Sequence, residues 1–220
     1  MRVLFVGNSF TARNDLPGML ARMAAARGHV LQHDLIQQGG ASLRAHWNRG
    51  TVVHAMRHKH YDIIVLQEQS TLPVRNARRM HENVRLFTEM IDETGARAAL
   101  YMTWAKRNAP ETQQAITAAY TAIARETGAL LVPVGNAWTR YLESHETPAL
   151  HDRDMSHPAP AGTYLAACVF HAVLFEESAV GLPCEVPGLT PAAAAAMQRA
   201  ADGAVADGAP GSDGATSPNA

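Results

Sequence analysis

A serine, an aspartate and a histidine of this 220-residue chain have the types and spacing that nucleophilic catalysis requires. Ser9 follows a short apolar run near the beginning, whereas Asp154 and His157 lie three residues apart far downstream. A serine hydroxyl becomes a good nucleophile when a histidine removes its proton, and that imidazole needs an acceptor that fixes its tautomer. Asp154 and His157 can meet on one short loop. Acyl transfer is the chemistry that such a set supports.

Acyl transfer also requires N–H donors around the oxygen on which negative charge develops. The backbone N–H of Ser9 stands at the start of a segment that leads into a helix. Gly40 lacks a Cβ, so its N–H can approach a substrate without obstruction. The side-chain amide of Gln69 or of Gln67 is a third candidate donor. We therefore expect an oxyanion hole built from Ser9, Gly40 and either Gln69 or Gln67.

Five short apolar runs predict the strands that position these residues. Each run is four to seven residues long and mostly continuous in apolar character. This pattern is typical of strands that are buried on both faces of a parallel sheet. The predicted strands are Val3–Val6, Val30–Ile36, Asp62–Leu66, Ala98–Met102 and Leu130–Val134.

Helical patterns separate the predicted strands, and three of them end at a glycine that leads directly into a strand. Glycine readily takes the left-handed conformation that terminates a helix, and the three positions are Gly28, Gly95 and Gly128. The repeated strand–helix alternation predicts a three-layer α/β/α sandwich around a five-stranded parallel sheet. In such sheets ligands bind beyond the carboxyl ends of the strands. Ser9, Gly40 and Gln69 each follow a predicted strand.

The composition excludes several classes of protein. Apolar residues make up 47% of the chain and charged residues 18%, with a formal net charge of −1, which fits a globular protein. The balanced charge gives no reason to expect nucleic acid as a partner. No apolar run reaches the ~20 residues of a membrane-spanning helix, so no membrane partner is expected. The apolar start Met1–Val6 is too short for a signal peptide, and we therefore expect a cytoplasmic protein. The sequence does not indicate an oligomeric state.

The length favours one domain, and a change in composition places its end near residue 200. Thr190 is a candidate N-cap for a final surface helix over Pro191–Ala201. From residue 201 onward the chain is rich in Gly, Ala, Pro, Ser and Asp and has few side chains to bury. We therefore predict a folded domain over residues 1–200 and a disordered tail over residues 201–220.

The histidine content raises the question of a metal site. The chain has 11 histidines, and His54, His58 and His60 cluster on a predicted helix and just beyond it. A zinc site needs three or four ligands in a defined geometry, and the neighbouring Arg57 and Lys59 repel a cation. We predict a solvated basic face there, and neither a metal nor a cofactor.

Four further side chains have a predicted place in the fold. Cys168 lies in an apolar helical stretch and is expected to be an inert core thiol. Tyr101 is expected in the core as well. Trp104 follows the fourth strand and either borders an acyl pocket or packs in the interior. Glu68 is predicted to be a buried partner of a basic loop residue.

The order of these motifs resembles that of the SGNH (GDSL-type) hydrolase superfamily. The matching blocks are Gly7-Asn8-Ser9-Phe10, Gly40, the amide-rich segment after the third strand and Asp154-x-x-His157, which together span residues 3 to about 175. The resemblance implies a flavodoxin-like fold and metal-free hydrolysis of esters or acyl groups. It assigns Ser9 as the nucleophile, His157 as the base and Asp154 as its partner. The N–H groups of Ser9 and Gly40 would form part of the oxyanion hole.

The sequence departs from the family pattern at two places. Asn8 stands where the family has aspartate, and Gln67-Glu68-Gln69-Ser70 replaces a Gly-x-Asn-Asp block. The register aligns Gln69 with the asparagine of that block, and glutamine can donate the same hydrogen bond from a longer side chain. Because no long apolar lid segment is present, we predict a serine esterase that cleaves small, acetyl-like esters through an acyl-enzyme intermediate.

Several alternatives stay open on sequence grounds. Ser9 can cap the first helix or bind a phosphate, which would make the chain a non-catalytic module for a small molecule or phosphate. Asp152 is a second candidate for the acid, and the Gly39-Gly40 pair can form a turn without a catalytic role. The segment after the third strand is also compatible with a hydrolase that has lost part of its oxyanion stabilisation.

Overall fold

The computed structural model describes residues 1–208 of the chain. Within these residues, five parallel strands form one sheet in the order β2-β1-β3-β4-β5. The strands are β1 (Arg2–Gly7), β2 (Gln32–Gln37), β3 (Ile63–Leu66), β4 (Arg97–Tyr101) and β5 (Leu130–Val132). The prediction of a five-stranded parallel sheet is confirmed, and β1, β3 and β4 agree with their predicted bounds to within one residue.

The edge strand β2 differs from its prediction in position and in burial. Its ladder with β1 begins with the pair Arg2 and Gln32, so Val30 and Leu31 precede the strand. The Leu31 side chain is buried in the core, whereas Val30 is 73% exposed. β2 has a neighbour on one side only and is largely exposed, so the prediction of burial on both faces is wrong for this strand.

The fifth strand is shorter than predicted because of a proline. Pro133 follows the last residue of β5 and has no N–H to donate to a ladder. Val134 therefore begins a helix instead of ending the strand. The N–H of Gly135 donates to the carbonyl of Met102 (3.1 Å), which places that helix directly beyond the end of β4.

Ten α-helices connect and cover the strands within residues 1–208. They are α1 (Ser9–Ala12), α2 (Leu16–Ala26), α3 (Leu43–Arg49), α4 (Thr51–His58), α5 (Leu72–Arg75), α6 (Ala77–Thr94), α7 (Gln113–Thr127), α8 (Val134–Leu142), α9 (Pro160–Phe175) and α10 (Pro191–Gly208). The predicted helix terminators Gly28, Gly95 and Gly128 all have a left-handed φ, at 84°, 74° and 68°. No helix of this described part is long and apolar enough to cross a membrane.

Helices lie on both faces of the sheet, and alternate residues of β1 reach the two cores. Val3 and Phe5 pack with α2, α8, α9 and α10, whereas Leu4 and Val6 pack with α3, α4, α6 and α7. The three-layer α/β/α architecture is therefore confirmed. The strand order is the flavodoxin-like one, in which the direction of winding reverses between β1 and β3. That reversal opens a crevice at the carboxyl end of β1.

The folded part of the chain extends further than predicted. α10 continues to Gly208, and Ala201 and Ala204 are buried where this helix packs against α8 and α9. Their small side chains let the helices approach closely, so an alanine-rich segment contributes to the core. The predicted tail is therefore wrong for residues 201–208, and α10 is not a mere surface helix. Residues 209–220 of the predicted tail lie outside the described residues.

Cys168 and Tyr101 both lie in the core, as predicted. Cys168 is 0% exposed and Tyr101 is 1% exposed. Burial raises the pKa of the Cys168 thiol because the apolar surroundings disfavour the thiolate. The thiol is accordingly an unreactive packing group.

The first turn of α9 packs against the preceding loop without an intervening side chain. A Cβ at Gly162 would lie 2.4 Å from the carbonyl oxygen of Leu150 and 2.5 Å from Cζ2 of Trp138. The same Leu150 carbonyl accepts a hydrogen bond from the N–H of Ala159 (2.8 Å). This close approach fixes where α9 begins relative to the loop before it.

We expect Gly162→Ala to lower the free energy of unfolding by about 1–3 kcal/mol, because the added methyl overlaps a backbone oxygen and an indole ring. Urea denaturation followed by far-UV circular dichroism measures the loss. Gly39→Ala is the matched control, since in the described part of the chain no atom beyond the two chain neighbours lies within 4 Å of a Cβ built there. Equal losses for the two variants would contradict the packing argument.

Candidate active site

Ser9 lies at the carboxyl end of β1, where the strand turns directly into α1. Asn8 is the N-cap of this helix, because its Oδ1 accepts a hydrogen bond from the N–H of Phe10 (3.0 Å). The Ser9 side chain is therefore not the helix cap. Its Oγ lies 2.8 Å from Nε2 of His157.

Asp154 holds the other nitrogen of the imidazole. Nδ1 of His157 lies 2.5 Å from Oδ2 of Asp154. Oδ1 of Asp154 accepts hydrogen bonds from the N–H groups of His157 (2.9 Å) and Ser156 (3.0 Å). These hydrogen bonds, the one from the His157 N–H above all, hold the pKa of the Asp154 carboxyl well below its ordinary value. An ionised carboxylate at Nδ1 leaves Nε2 able to accept a proton from Ser9.

Asp152, the alternative acid, binds different partners. Its Oδ2 pairs with the Arg13 guanidinium (2.7 Å), and its Oδ1 accepts a hydrogen bond from the N–H of Arg153 (2.7 Å). Arg13 also lies 4.0 Å from Oδ2 of Asp154. The structure thus brings Asp154, not Asp152, to the imidazole of His157.

The loop that carries the candidate acid and base, residues 151–158 and called the acid–base loop below, is anchored to the segment that follows β4. Nε1 of Trp104 donates to the carbonyl of Ser156 (3.0 Å), and the N–H of Arg107 donates to the carbonyl of Met155 (2.9 Å). The two ends of the loop also pair with each other as an antiparallel bridge. The position of the imidazole therefore depends on the segment after β4 as well as on its own loop.

Trp104 occupies a packed position beside the candidate site. It is 3% exposed and stacks on Trp138 with ring centroids 3.8 Å apart. The Phe10 ring lies 5.1 Å from both Trp104 and the His157 ring. Trp104 also borders a cavity of about 460 Å³, but the lining of that cavity includes neither Ser9 nor His157. Of the two predicted roles for Trp104, interior packing is the one that the contacts favour.

Asn14 connects the segment after Ser9 to the acid–base loop. Its Nδ2 donates to the carbonyl of Pro158 (3.0 Å) and to Oγ1 of Thr163 (2.9 Å). Asn14 has a left-handed φ of 55°, which asparagine tolerates better than most residues. Asp15 has the same φ and caps α2 by accepting a hydrogen bond from the N–H of Gly18. Sequence reasoning did not identify Asn14, because its partners lie far away in the chain.

Gly40 lies in an exposed turn after β2. The N–H of Ala41 closes this turn by donating to the carbonyl of Gln38 (3.1 Å), and Gly40 has a left-handed φ of 66°. A Cβ at Gly40 would meet no atom of residues 1–208 within 4 Å beyond its chain neighbours, so the backbone conformation and not the available space calls for glycine. Within the described residues the N–H of Gly40 has no hydrogen-bond acceptor, which leaves it open to a ligand.

Gln67, one of the two candidate amide donors, is fully engaged inside the protein. It is 0% exposed, and its Oε1 accepts hydrogen bonds from the N–H of Asn8 (2.8 Å) and from Oγ1 of Thr11 (3.0 Å). Its Nε2 donates to the carbonyl of Glu68. Because both ends of this amide are occupied, Gln67 is not available to a substrate.

Gln69 has a more open environment. Its Oε1 accepts hydrogen bonds from the N–H (3.0 Å) and from Oγ1 (2.9 Å) of Thr71. These two bonds orient the amide so that Oε1 is occupied, and Nε2 has no acceptor within residues 1–208. Of the two glutamines, Gln69 is the one that can donate to a ligand.

Glu68 is buried between these glutamines, and its surroundings differ from the prediction. It is 1% exposed; Oε1 accepts from the N–H groups of Leu43 (3.0 Å) and Gln69 (2.7 Å), and Oε2 accepts from Nδ2 of Asn83 (2.8 Å). The predicted direct basic partner is wrong, since Arg44 reaches Glu68 only through Oδ1 of Asn83 (3.1 Å). Burial raises the pKa of Glu68, and the hydrogen bonds from Asn83 and the two N–H groups oppose that shift.

Asn8 uses its second amide atom to join two loops. Its Nδ2 donates to the carbonyl of Ala41 (3.0 Å), and the residue is 2% exposed. This bond ties the end of β1 to the turn that carries Gly40. An aspartate at this position would keep the helix cap but would have no donor for the Ala41 carbonyl.

The basic cluster around His54 does not form a metal site. His54 and His58 stack with ring centroids 4.0 Å apart, and Nδ1 of His58 is hydrogen-bonded to the His54 carbonyl (2.8 Å). Over residues 1–208, no group of three His, Cys, Asp or Glu side chains has a geometry that could hold a metal ion.

We expect Asn8→Asp to destabilise the protein by about 1–3 kcal/mol at pH 8, because a buried carboxylate would face the Ala41 carbonyl without a hydrogen. Burial raises the pKa of such a carboxyl, so the penalty should shrink at acid pH, where the protonated group can donate to that carbonyl. Urea denaturation of wild type and variant at pH 5 and pH 8 measures the difference. Asn48→Asp makes the same charge change at an exposed position. A penalty that does not depend on pH would contradict this reasoning.

Comparison with known proteins gives structural relatives only. No family model and no curated protein matches the chain. A protein from Slackia heliotrinireducens described as a candidate SGNH hydrolase is 27% identical, with a TM-score of 0.68; the match covers 79% of this chain and 98% of that one. A DUF4886 family protein from Bacteroides uniformis is 20% identical, with a TM-score of 0.78 and coverages of 94% and 95%.

An enzyme of known activity has the same fold. Axe2, an acetylxylan esterase from Geobacillus stearothermophilus, is 17% identical to the chain, with a TM-score of 0.61; the match covers 77% of this chain and 92% of Axe2. The strand order, the sequence blocks in their order and these similarities agree. The chain belongs to the SGNH hydrolase superfamily.

Proposed function

We propose that the chain is a serine hydrolase that acts on esters. The observation that carries this proposal is the series of contacts from Ser9 Oγ to His157 Nε2 (2.8 Å) and from His157 Nδ1 to Asp154 Oδ2 (2.5 Å). A hydroxyl, an imidazole and an ionised carboxylate that contact one another in this order form the arrangement that activates serine for acyl transfer. Membership in the SGNH superfamily supports the same chemistry.

In the first half of the proposed reaction, Ser9 Oγ attacks the carbonyl carbon of the ester and its proton passes to Nε2 of His157. The new C–O bond gives a tetrahedral intermediate with negative charge on the former carbonyl oxygen. When the carbonyl re-forms, the bond to the alcohol oxygen breaks and His157 returns the proton to that oxygen. Asp154 stabilises the imidazolium throughout, and the acyl group stays on Ser9.

In the second half, water replaces the alcohol. His157 Nε2 takes a proton from the water as its oxygen attacks the acyl carbon, which again forms a tetrahedral intermediate. The bond between that carbon and Ser9 Oγ then breaks, and Oγ recovers its proton from His157. A carboxylic acid leaves and the free serine is restored.

Three donors are proposed for the developing oxyanion. The N–H of Ser9 belongs to the first turn of α1, where N–H groups have no acceptor within the helix. The N–H of Gly40 and Nε2 of Gln69 come from the loops after β2 and β3. Donors that are already oriented before the charge develops stabilise the transition state without further rearrangement.

The proposed substrates are esters with short acyl groups, acetyl in particular. Two cavities, of about 220 Å³ and 460 Å³, have linings that do not include Ser9. An apolar channel next to the nucleophile would favour a long acyl chain by about 0.8 kcal/mol per buried CH₂, and neither of these two cavities supplies such a channel. Axe2, which shares the fold, is an acetylxylan esterase, so the fold is compatible with the hydrolysis of acetyl esters.

The rival interpretation, a non-catalytic binding module, leaves the contact between Ser9 and His157 without a purpose. A serine that only binds a phosphate or caps a helix needs no imidazole at hydrogen-bond distance. An activated serine reacts with a fluorophosphonate, whereas an ordinary hydroxyl does not. Covalent labelling therefore separates the two functions even when the natural substrate is not known.

We expect Ser9→Ala to lower the hydrolysis of p-nitrophenyl acetate by at least 10³-fold, because the variant cannot form the acyl-enzyme. For wild type, the rates for the acetate, butyrate and octanoate esters should fall as the acyl chain lengthens. Absorbance of released p-nitrophenolate measures the effect of the substitution and the dependence on chain length. Ser144→Ala makes the same change at an exposed serine and should leave activity unchanged.

Fluorophosphonate labelling of the same proteins completes this test. Intact-mass spectrometry should show one added phosphonyl group on wild type and on Ser144→Ala, and none on Ser9→Ala. Activity that persists in Ser9→Ala would sink the assignment of the nucleophile. A wild type that neither hydrolyses the esters nor takes up the probe would favour the binding module.

We expect Gln69→Ala to lower kcat by roughly 10²–10³-fold with little change in KM, which is the effect of removing one oxyanion donor. Gln69→Glu should behave alike, since a carboxylate can still accept from Thr71 but cannot donate. Steady-state kinetics with p-nitrophenyl acetate measures the change. Gln114→Ala, at an exposed position of α7, is the control. A normal kcat in both Gln69 variants would remove this residue from the oxyanion hole.

A further inference from the structure

One buried carboxylate connects the two loops that carry the proposed oxyanion donors. Oε1 of Glu68 accepts a hydrogen bond from the N–H of Gln69 (2.7 Å) and another from the N–H of Leu43 (3.0 Å). Leu43 is the first residue of α3, three positions after Gly40. The loop after β3 and the loop after β2 therefore meet on a single oxygen atom.

The second oxygen of Glu68 fixes the direction of the carboxylate. Oε2 accepts from Nδ2 of Asn83 (2.8 Å), and Oδ1 of the same amide accepts from Nε of Arg44 (3.1 Å). Asn83 is 0% exposed and lies on α6, which packs against α3. Each polar atom of this series has a partner of the opposite hydrogen-bonding type, so rotation of the Glu68 side chain would break several bonds at once.

A carboxylate suits this position better than its neutral isostere. Three N–H donors converge on Glu68. A glutamine at this position would offer only one acceptor oxygen, and its side-chain NH₂ group would face another donor, Nδ2 of Asn83. The acid is 1% exposed, and among residues 1–208 no cation is in direct contact with it. Such an arrangement is costly for a site that only needs to fill space.

We propose that Glu68 is a positioning residue of the oxyanion hole, which sets the N–H of Gly40 and the side chain of Gln69 relative to Ser9. This inference rests on the proposed esterase function. The hydrogen bond from Asn8 to the Ala41 carbonyl (3.0 Å) joins the nucleophile loop to the same assembly. Glu68 itself touches no reacting atom and acts through the backbone groups that it holds.

The test begins with Glu68→Gln. Its kcat for p-nitrophenyl acetate should fall by roughly 10–10³-fold with KM nearly unchanged, because oxyanion donors act on the transition state and not on bound substrate. Hydrogen exchange of the Leu43 and Gln69 amides should become faster, as they lose a charged and anchored acceptor. Exchange is followed by NMR on the full chain.

A reciprocal exchange of the two side chains tests the geometry of the network. In Glu68→Gln/Asn83→Asp the amide at position 68 can keep its oxygen on the two N–H groups and donate to a carboxylate at position 83. That carboxylate can also accept from Arg44. We expect the double variant to regain most of the lost kcat and the slow amide exchange. Asn83→Asp alone should not reach the wild-type kcat, because it places a second carboxylate against Glu68.

Gln198→Ala is the control for the loss of a buried polar side chain that joins several segments by hydrogen bonds. Gln198 is 4% exposed and binds the N–H of Gly181 (2.9 Å), the carbonyl of Leu182 (2.8 Å) and the hydroxyl of Tyr164 (2.7 Å), all remote from the proposed donors. Its removal should lower the midpoint of urea denaturation and leave kcat unchanged.

The outcomes are distinct. Wild-type kcat in Glu68→Gln, or a double variant no better than the single ones, would overturn the positioning role. So would unchanged exchange at Leu43 and Gln69, whatever the activity. If wild type does not hydrolyse the esters, or if Ser9→Ala stays active, the proposed function fails and the kinetic role of Glu68 fails with it. The exchange data then report only on the hydrogen bonds that Glu68 accepts from Leu43 and Gln69.

Discussion

The hydrogen bond between Ser9 and His157 joins residues that are 148 positions apart in the chain, and this distance sets the main demand on the fold. Parallel strands meet the demand on one side, because they bring the loops after β1, β2 and β3 to a single edge of the sheet. On the other side, the acid–base loop is placed by α9, which packs against α2 and β5. Close contacts without side chains, as at Gly162, keep that placement within a narrow range.

Around this contact the chain buries polar side chains where apolar ones would be the ordinary choice. Asn8, Gln67 and Glu68 are each at most 2% exposed, and each forms hydrogen bonds to backbone groups of the loops at the site. Buried polar groups are costly when they lack partners, so each arrangement tolerates few alternatives. Loops without regular structure can thereby hold backbone amides in fixed positions.

Much of the architecture follows from local patterns, and the errors have identifiable causes. Continuous apolar runs and helix-ending glycines predicted the strands, but the start of β2 depends on its ladder register with β1, which no local pattern encodes. The extent of α10 depends on burial by α8 and α9, so an alanine-rich composition was misleading. Asp154 and His157 could be paired because they are three residues apart. The partners of Glu68 and Asn14 lie up to 25 and 149 positions away, and sequence spacing alone could not supply them.

The hydrogen bond from Asn14 to the Pro158 carbonyl has a consequence for the proposed catalytic cycle. In the proposed reaction, the imidazole of His157 exchanges Ser9 for an alcohol oxygen, then for water, and then returns to Ser9. If the contact with Ser9 were what held the two loops together, each exchange would loosen the site. Because Asn14 joins the loops independently, the imidazole can change partners while the framework around it keeps its shape.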